Sequence, residues 1–107
     1  MAASSVKVKQ GREQLGGVFS NIWVAKGTID FGSVADGDEA VDTIAVPGVA
    51  LGDVVIGVSA SIDVADINLT AAVTATGEVT VQANNNTGGG IDLASAVYKV
   101  VIARTVF

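Results

Sequence analysis

Valine and isoleucine dominate the apolar residues of this chain, and this bias constrains its fold more than any other feature. The 107 residues include 19 Val and 8 Ile but only 4 Leu. Because β-branched side chains lose rotamer freedom in a helix and pack well on a pleated sheet, the bias favours strands. The composition therefore predicts an all-β protein.

Short alternating segments, separated by turn residues, follow one another from Thr28 onward. Apolar residues recur at every second position, and turn signals interrupt them about every ten residues. This spacing predicts an antiparallel β-sandwich or small, jelly-roll-like barrel of about 6–8 strands. The length is that of a single domain.

Two turns can be placed from residue type. Val46-Pro47-Gly48-Val49 is typical of a type II turn, because Pro sets φ at its second position and Gly supplies a positive φ at its third. Residues 69–83 predict a hairpin with the three-residue loop Ala75-Thr76-Gly77, in which Gly77 takes the left-handed position. Matching the apolar faces predicts three cross-strand pairs: Val73 with Val79, Ala71 with Val81, and Leu69 with Ala83.

Four further segments carry weaker signals. The nearly continuous apolar run at 54–58 is typical of a strand covered on both faces. Residues 62–67 contain two carboxylates that are hard to bury, which indicates a loop with an edge segment. Residues 84–90 are rich in Asn and Gly and predict a flexible polar loop, whereas residues 97–107 predict the longest strand.

The first 26 residues lack clean alternation, since Gly11, Gly16 and Gly17 interrupt them. We interpret residues 1–26 as an N-terminal arm and residues 27–107 as the β-domain. Trp23 in such an arm would be exposed, and an exposed Trp is typical of an interface anchor. Packing of Trp23 onto its own domain is the alternative.

Charge is divided unevenly along the chain. Residues 1–26 carry four basic side chains against Glu13, a net of +3, and residues 27–107 carry two against ten carboxylates, a net of −8, which sum to −5. An acidic body disfavours nucleic acid, whose phosphates require a basic face. A basic arm is suited to an acidic protein partner.

The chain lacks the side chains that most enzymes use for catalysis. It has no His and no Cys, the commonest general base and the softest nucleophile. We therefore expect neither an enzyme nor a bound cofactor. Four carboxylates in one turn could hold calcium, but Ala40 stands where an EF-hand loop needs a third acidic ligand, so a solvated turn is favoured. These carboxylates are Asp36, Asp38, Glu39 and Asp42.

Membrane insertion is not expected. No apolar segment of a secretory signal follows the first residues, and no run of about 18 apolar residues is present.

Four segments of the body resemble, in their order and spacing, small β-rich structural proteins of tailed phages, including cyanophages and other marine phages. They are Val46-Pro-Gly-Val-Ala-Leu-Gly-Asp-Val54, Gly77-Glu-Val-Thr-Val-Gln-Ala-Asn84, Thr87-Gly-Gly-Gly-Ile-Asp92 and Val97-Tyr-Lys-Val-Val-Ile102. Head decoration proteins, also called cement proteins, belong to this group. The resemblance covers residues 28–104 and does not include the arm.

The resemblance implies a protein made in the host cytoplasm that binds the exterior of the assembled head. Its partner would be the major capsid protein, whose capsomers it would stabilise, and it would associate with itself as a homotrimer. A receptor- or glycan-binding module of a tail fibre or spike is the alternative.

Because the arm is basic and contains the single Trp of the chain, we expect the capsid contact there. The expected contact residues are Lys7, Lys9, Arg12, Phe19, Ile22 and Trp23.

Overall fold

The computed structural model describes residues 4–9 and 18–106, with side chains from residue 18 onward. These residues form nine strands and no helix, which confirms the all-β prediction. The strands are β1 (Ser4–Lys9), β2 (Phe19–Ile29), β3 (Gly32–Val34), β4 (Glu39–Ala45), β5 (Val54–Ala60), β6 (Asn68–Ala75), β7 (Glu78–Asn84), β8 (Ile91–Leu93) and β9 (Ala96–Thr105).

The strands form antiparallel sheets that pack as a sandwich and do not close into a barrel. One sheet has four strands in the order β1-β2-β9-β5, a second has three in the order β4-β7-β6, and β3 pairs with β8. Contacts between β5 and β6 and between β2 and β4 join the two larger sheets. The sandwich prediction is therefore confirmed.

The core lies between the inward faces of the two larger sheets. Alternation along β9 turns Tyr98, Val100 and Ile102 inward, and all three are fully buried. Val79 and Val81 of β7 face them from the other sheet and belong to the same cluster. Burial of each such side chain contributes about 1.5–3 kcal/mol, so these two central strands supply much of the core.

The predicted hairpin register is confirmed at all three of its pairs. Val73 lies opposite Val79, Ala71 opposite Val81, and Leu69 opposite Ala83. Ala75 also pairs with Glu78, and a register shift between Val73 and Ala75 accommodates the additional residue. The loop is therefore shorter than the predicted three residues, but Gly77 has the expected positive φ of 76°.

The predicted type II turn at residues 46–49 is also consistent with the structure. Gly48 has a φ of 104°, and the Val49 amide donates to the Val46 carbonyl over 3.3 Å.

The N-terminal region does not end where the sequence placed its boundary. Residue 26 lies inside β2, an interior strand that pairs with β1 on one side and β9 on the other. The alternation of β2 was hidden because Ile22 and Val24, on its outward side, are as apolar as the inward Trp23 and Ala25. Trp23 is only 3% exposed, so it packs onto its own domain.

Three other expectations need correction. The strand β5 is not covered on both faces, because Val54 and Ile56 are half exposed. The longest described strand is β2 with 11 residues, since β9 has ten. Residues 62–67 form turns without an edge strand.

Candidate binding surface

An ion pair fastens the loop between β4 and β5 to the end of β9. Arg104 Nε and Nη2 donate to the two carboxylate oxygens of Asp53, each over 2.9 Å. The same guanidinium donates to the Gly48 carbonyl over 3.0 Å, and the Ala50 amide donates to Asp53 over 2.8 Å. We name residues 46–53 the end loop. Arg104 thus holds this loop at Gly48 in its first half and at Asp53 at its end.

The end loop also contacts β2 and the β6–β7 hairpin. The Arg104 guanidinium lies 5.1 Å from the centre of the Trp23 ring, in a cation–π arrangement. Backbone hydrogen bonds of 2.9 Å join Gly77 to Val46 and to Val49. Contacts among the end loop, β2, β9 and the β6–β7 hairpin therefore build a platform at one end of the sandwich.

Charge and hydrogen bonding reinforce each other in this platform. The hydrogen bonds from Arg104 hold the pKa of the Asp53 carboxyl below its ordinary value, although burial acts in the opposite direction. The same hydrogen bonds raise the pKa of Arg104. Both groups are therefore charged at neutral pH, which suits the two-point geometry of the pair.

The opposite end of the sandwich is organised by Asn85, a fully buried polar residue. Its amide nitrogen donates to the carbonyls of Val34 and Gly89, each over 2.8 Å, and its side-chain oxygen accepts from the amide and hydroxyl of Thr87. Asn85 is thus a satisfied polar centre around which the loop after β7 folds, an organisation that the composition of residues 84–90 did not predict.

The two larger sheets differ sharply in charge. The strands of the four-stranded sheet contain five Lys or Arg residues and no Asp or Glu. The strands of the three-stranded sheet contain three carboxylates and no Lys or Arg. The fold thus turns a charge difference along the chain into a charge difference between the two sheets.

Exposed apolar side chains concentrate on the basic sheet and at its end. Among the described residues, seven large hydrophobic side chains are exposed. Three of them lie on β5 and β9, namely Val54, Ile56 and Val97, and another three lie at the end of this sheet, namely Val18, Leu51 and Val106. The seventh, Val41, belongs to the three-stranded sheet.

The end loop presents the most exposed of these side chains. Leu51 is 69% exposed, although its loop is held by the Arg104–Asp53 pair. Val106 and Val18 lie beside each other, because the Val106 amide donates to the Val18 carbonyl over 2.9 Å. We name the outward side of the four-stranded sheet, together with these end residues, the basic face. Apolar groups rimmed by charge are typical of protein-binding surfaces.

A shallow groove runs along the basic face beside β5. It has a volume of about 350 Å³ and is lined by Lys26, Ser59, Ala60, Ser61, Val97 and Lys99. A second depression of about 230 Å³ shares Ser59 and Lys99 with it and continues to Gly57. We name the two together the lysine groove.

The structure separates the residues predicted to contact the capsid. Lys7 and Lys9 belong to β1, where they pair with Val24 and Ile22, so they lie on the four-stranded sheet. Phe19 and Ile22 of β2 are half buried. Trp23 is buried and therefore not an exposed anchor, and Arg12 lies outside the described residues.

Sequence reasoning missed Lys99, Leu51, Val54 and Ile56. An exposed apolar position cannot be distinguished from a core position by residue type, which explains three of these omissions. The fourth, Lys99, reaches the basic face only because β9 pairs with β2.

The carboxylates of the acidic turn between β3 and β4 accept hydrogen bonds from backbone amides of this turn and of the loop between β7 and β8. Asp36 accepts from the Gly88 amide over 3.0 Å, and Asp38 accepts from the Glu39 amide over 2.8 Å. Within the described ranges, no group of three or more acidic side chains is arranged to hold a metal ion.

The part of the chain that the structure describes includes no helix with the length and apolar character needed to cross a membrane.

Comparison of this chain with protein-family models, with curated proteins and with solved structures finds no match.

Proposed function

We propose that this protein is a decoration, or cement, protein that binds the outer surface of an assembled phage head. The resemblance of residues 28–104 to small phage structural proteins supports the choice of a phage head. The observation that carries a binding role is the division between the sheets, with basic and exposed apolar residues on one sheet and carboxylates on the other.

The basic face is the proposed contact with the major capsid protein. Its apolar residues, above all Leu51 and Val54, would lose water on binding, while its lysines would select an acidic partner. The end loop is already fastened by Arg104, so little ordering would be needed during association. The acidic three-stranded sheet would then face solvent.

The proposal relocates the contact from an extended arm to a sheet. Lys7, Lys9 and Ile22 remain proposed contact residues because their strands, β1 and β2, belong to the four-stranded sheet. Trp23 is withdrawn as a contact residue, since its side chain stabilises the domain itself.

Three copies would act together at threefold or quasi-threefold points of the head. Linking three weak contacts raises the apparent affinity through effective concentration. Binding only to assembled capsomers would stabilise the shell by mass action. Sedimentation velocity tests the trimer directly: a species of the 10.7 kDa monomer mass at high concentration would contradict it.

Co-sedimentation with empty expanded heads tests the function. We expect the wild-type protein to sediment with heads but not with dissociated capsid subunits. Val54→Ser should weaken this binding, whereas Val41→Ser should not, because Val41 has a similar exposure (59% against 50%) on the opposite sheet.

Two results would overturn the proposal. One is the absence of binding to heads, together with binding to host cells or their polysaccharide, which would favour a receptor-binding module. The other is an equal loss of head binding in the Val54 and Val41 variants, which would show that the basic face is not the contact.

A further inference from the structure

Two lysines lie directly opposite each other on the basic face. Lys26 of β2 and Lys99 of β9 are antiparallel partners, and Ser5 and Ser59 extend the same cross-strand row on either side. Directly opposed side chains have Cβ atoms about 4.5–5.5 Å apart, and like charges at this separation destabilise a sheet. The fold therefore tolerates a repulsion that an anionic partner would relieve.

Neither lysine is neutralised within the described residues. The only ion pair among the described residues joins Arg104 to Asp53. No described side chain forms a hydrogen bond or ion pair with Lys26 or Lys99. Both lysines are exposed, and the strands around them contain no carboxylate. This contrasts with the three-stranded sheet, where Gln82 donates a hydrogen bond to Glu39.

The two depressions of the lysine groove lie in line along one strand, as an extended ligand requires. The groove follows the outward side of β5 from Ser61 to Gly57, with Lys99 near its middle. Gly57 leaves its floor without a side chain, and no heavy atom lies within 4 Å of the position that a Cβ would take there. The Ser59 and Ser61 side chains add hydroxyl groups that can donate to a carboxylate.

We propose that the lysine groove binds an extended, carboxylate-bearing polypeptide segment, with a carboxylate seated between Lys26 and Lys99. This inference rests on the proposed function only for its natural partner, which would be an acidic segment of the major capsid protein. The two lysines favour an anionic ligand, and the course of the groove along β5 favours an extended one.

A polypeptide fits this groove better than an acidic glycan does. Sugar-binding surfaces commonly use an exposed aromatic ring, but no aromatic side chain is among the described residues that line the groove. The groove is instead lined by aliphatic side chains, lysines and serines, which suit alternating apolar and acidic side chains of a strand.

Titration of the ¹⁵N-labelled full chain tests the proposal, with the hexapeptide acetyl-Val-Asp-Val-Glu-Val-Asp-amide as the probe. We expect backbone amide shifts at Ser59, Ser61 and Lys99. The affinity should fall as salt is raised, since the screening length drops from about 10 Å at 0.1 M to about 3 Å at 1 M. The neutral Asn/Gln version of the peptide should not bind.

Two groove variants and one matched control assign the effect to the lysines. Lys99→Gln should weaken peptide binding about threefold, and the double variant Lys26→Gln/Lys99→Gln about tenfold, in line with exposed ion pairs. Asn68→Asp produces the same net charge as Lys99→Gln but lies on the opposite sheet, so it should bind as the wild type does.

The proposal is overturned if the peptide does not bind, if the neutral peptide binds equally, or if the double variant keeps its affinity. It is also overturned if an oligogalacturonate binds more tightly than the peptide and loses affinity in Lys99→Gln. Normal head binding by the double variant would reject the groove as the head contact and leave the proposed function intact. Peptide binding by a wild-type protein that does not bind heads would reject the proposed function and leave the peptide-binding groove intact.

Discussion

Arg104 and Asp53 lie 51 residues apart in the chain, yet their side chains form two parallel hydrogen bonds of 2.9 Å. The pair closes one end of the sandwich, because Arg104 also covers Trp23 and donates to Gly48. This arrangement lets a loop with an exposed Leu51 keep a defined conformation.

Replacing Asp53 with Asn should make the protein less sensitive to acid. Asp53 has a lower pKa in the folded chain than its unfolded value of about 3.9, so its ionised form stabilises the fold above that pH. This contribution is lost as pH falls below 4 through the folded pKa. Urea unfolding from pH 7 to pH 2 should therefore show wild type and Asp53→Asn converging at low pH.

Asp92→Asn provides the control for the Asp53 experiment, since it removes one exposed carboxylate from β8. If the difference in free energy of unfolding between wild type and Asp53→Asn stays constant down to pH 2, the Asp53 carboxylate does not stabilise the fold in the expected pH-dependent way.

Substitution of Gly48 should destabilise the end loop for two reasons. Its φ of +104° disfavours any side chain, and an added Cβ would lie 3.2 Å from Nε1 of Trp23. We expect Gly48→Ala to lower the free energy of unfolding by about 1–3 kcal/mol.

Two other Gly→Ala variants separate the causes of the Gly48 effect. Gly52 has a φ of +98° with open space around it, so Gly52→Ala measures the backbone cost alone. Gly89 has neither a left-handed φ nor a heavy atom within 4 Å of an added Cβ. The free energy of unfolding of Gly89→Ala should therefore stay within about 0.5 kcal/mol of the wild-type value. If Gly52→Ala costs as much as Gly48→Ala, the contact with Trp23 contributes nothing.

Asn85→Ala should loosen the opposite end of the sandwich. The variant leaves the buried Val34 carbonyl without its side-chain donor, and an unsatisfied buried group costs about 1–3 kcal/mol. Hydrogen exchange at the Thr87 amide, which donates to Asn85, should accelerate in parallel. Asn86→Ala, one residue away and exposed, should change neither quantity; equal effects in both variants would show that Asn85 is not the organising residue.

Removing the hydroxyl of Tyr98 should raise stability. This side chain is fully buried, packs edge to face on Phe31 at 5.3 Å, and has no hydrogen-bond partner among the described residues. Burial, with a smaller effect from Asp30, raises the pKa of Tyr98, so the group is neutral at pH 7. We expect Tyr98→Phe to raise the free energy of unfolding, measured by heat or urea, by about 1 kcal/mol. A loss of similar size would reveal a partner for the hydroxyl.

The limits of prediction are clearest in the first strands. The body alternates apolar and polar residues, so its strands could be predicted. In β2, by contrast, Ile22 and Val24 lie on the outward side, and no alternation marks the strand. The same ambiguity concealed the exposure of Val54 and Ile56, because residue type does not reveal which face of a strand is covered.

The sequence by itself determined the strand-forming character of the chain, the register of the 69–83 hairpin and the turn at 46–49. These features depend on neighbouring residues, whose backbone preferences and two-residue period act locally. Only the tertiary structure decided that Lys26 faces Lys99, that Asp53 meets Arg104 and that basic and acidic residues lie on separate sheets. Those relationships depend on which distant strands pair, and pairing is settled by burial of the whole core.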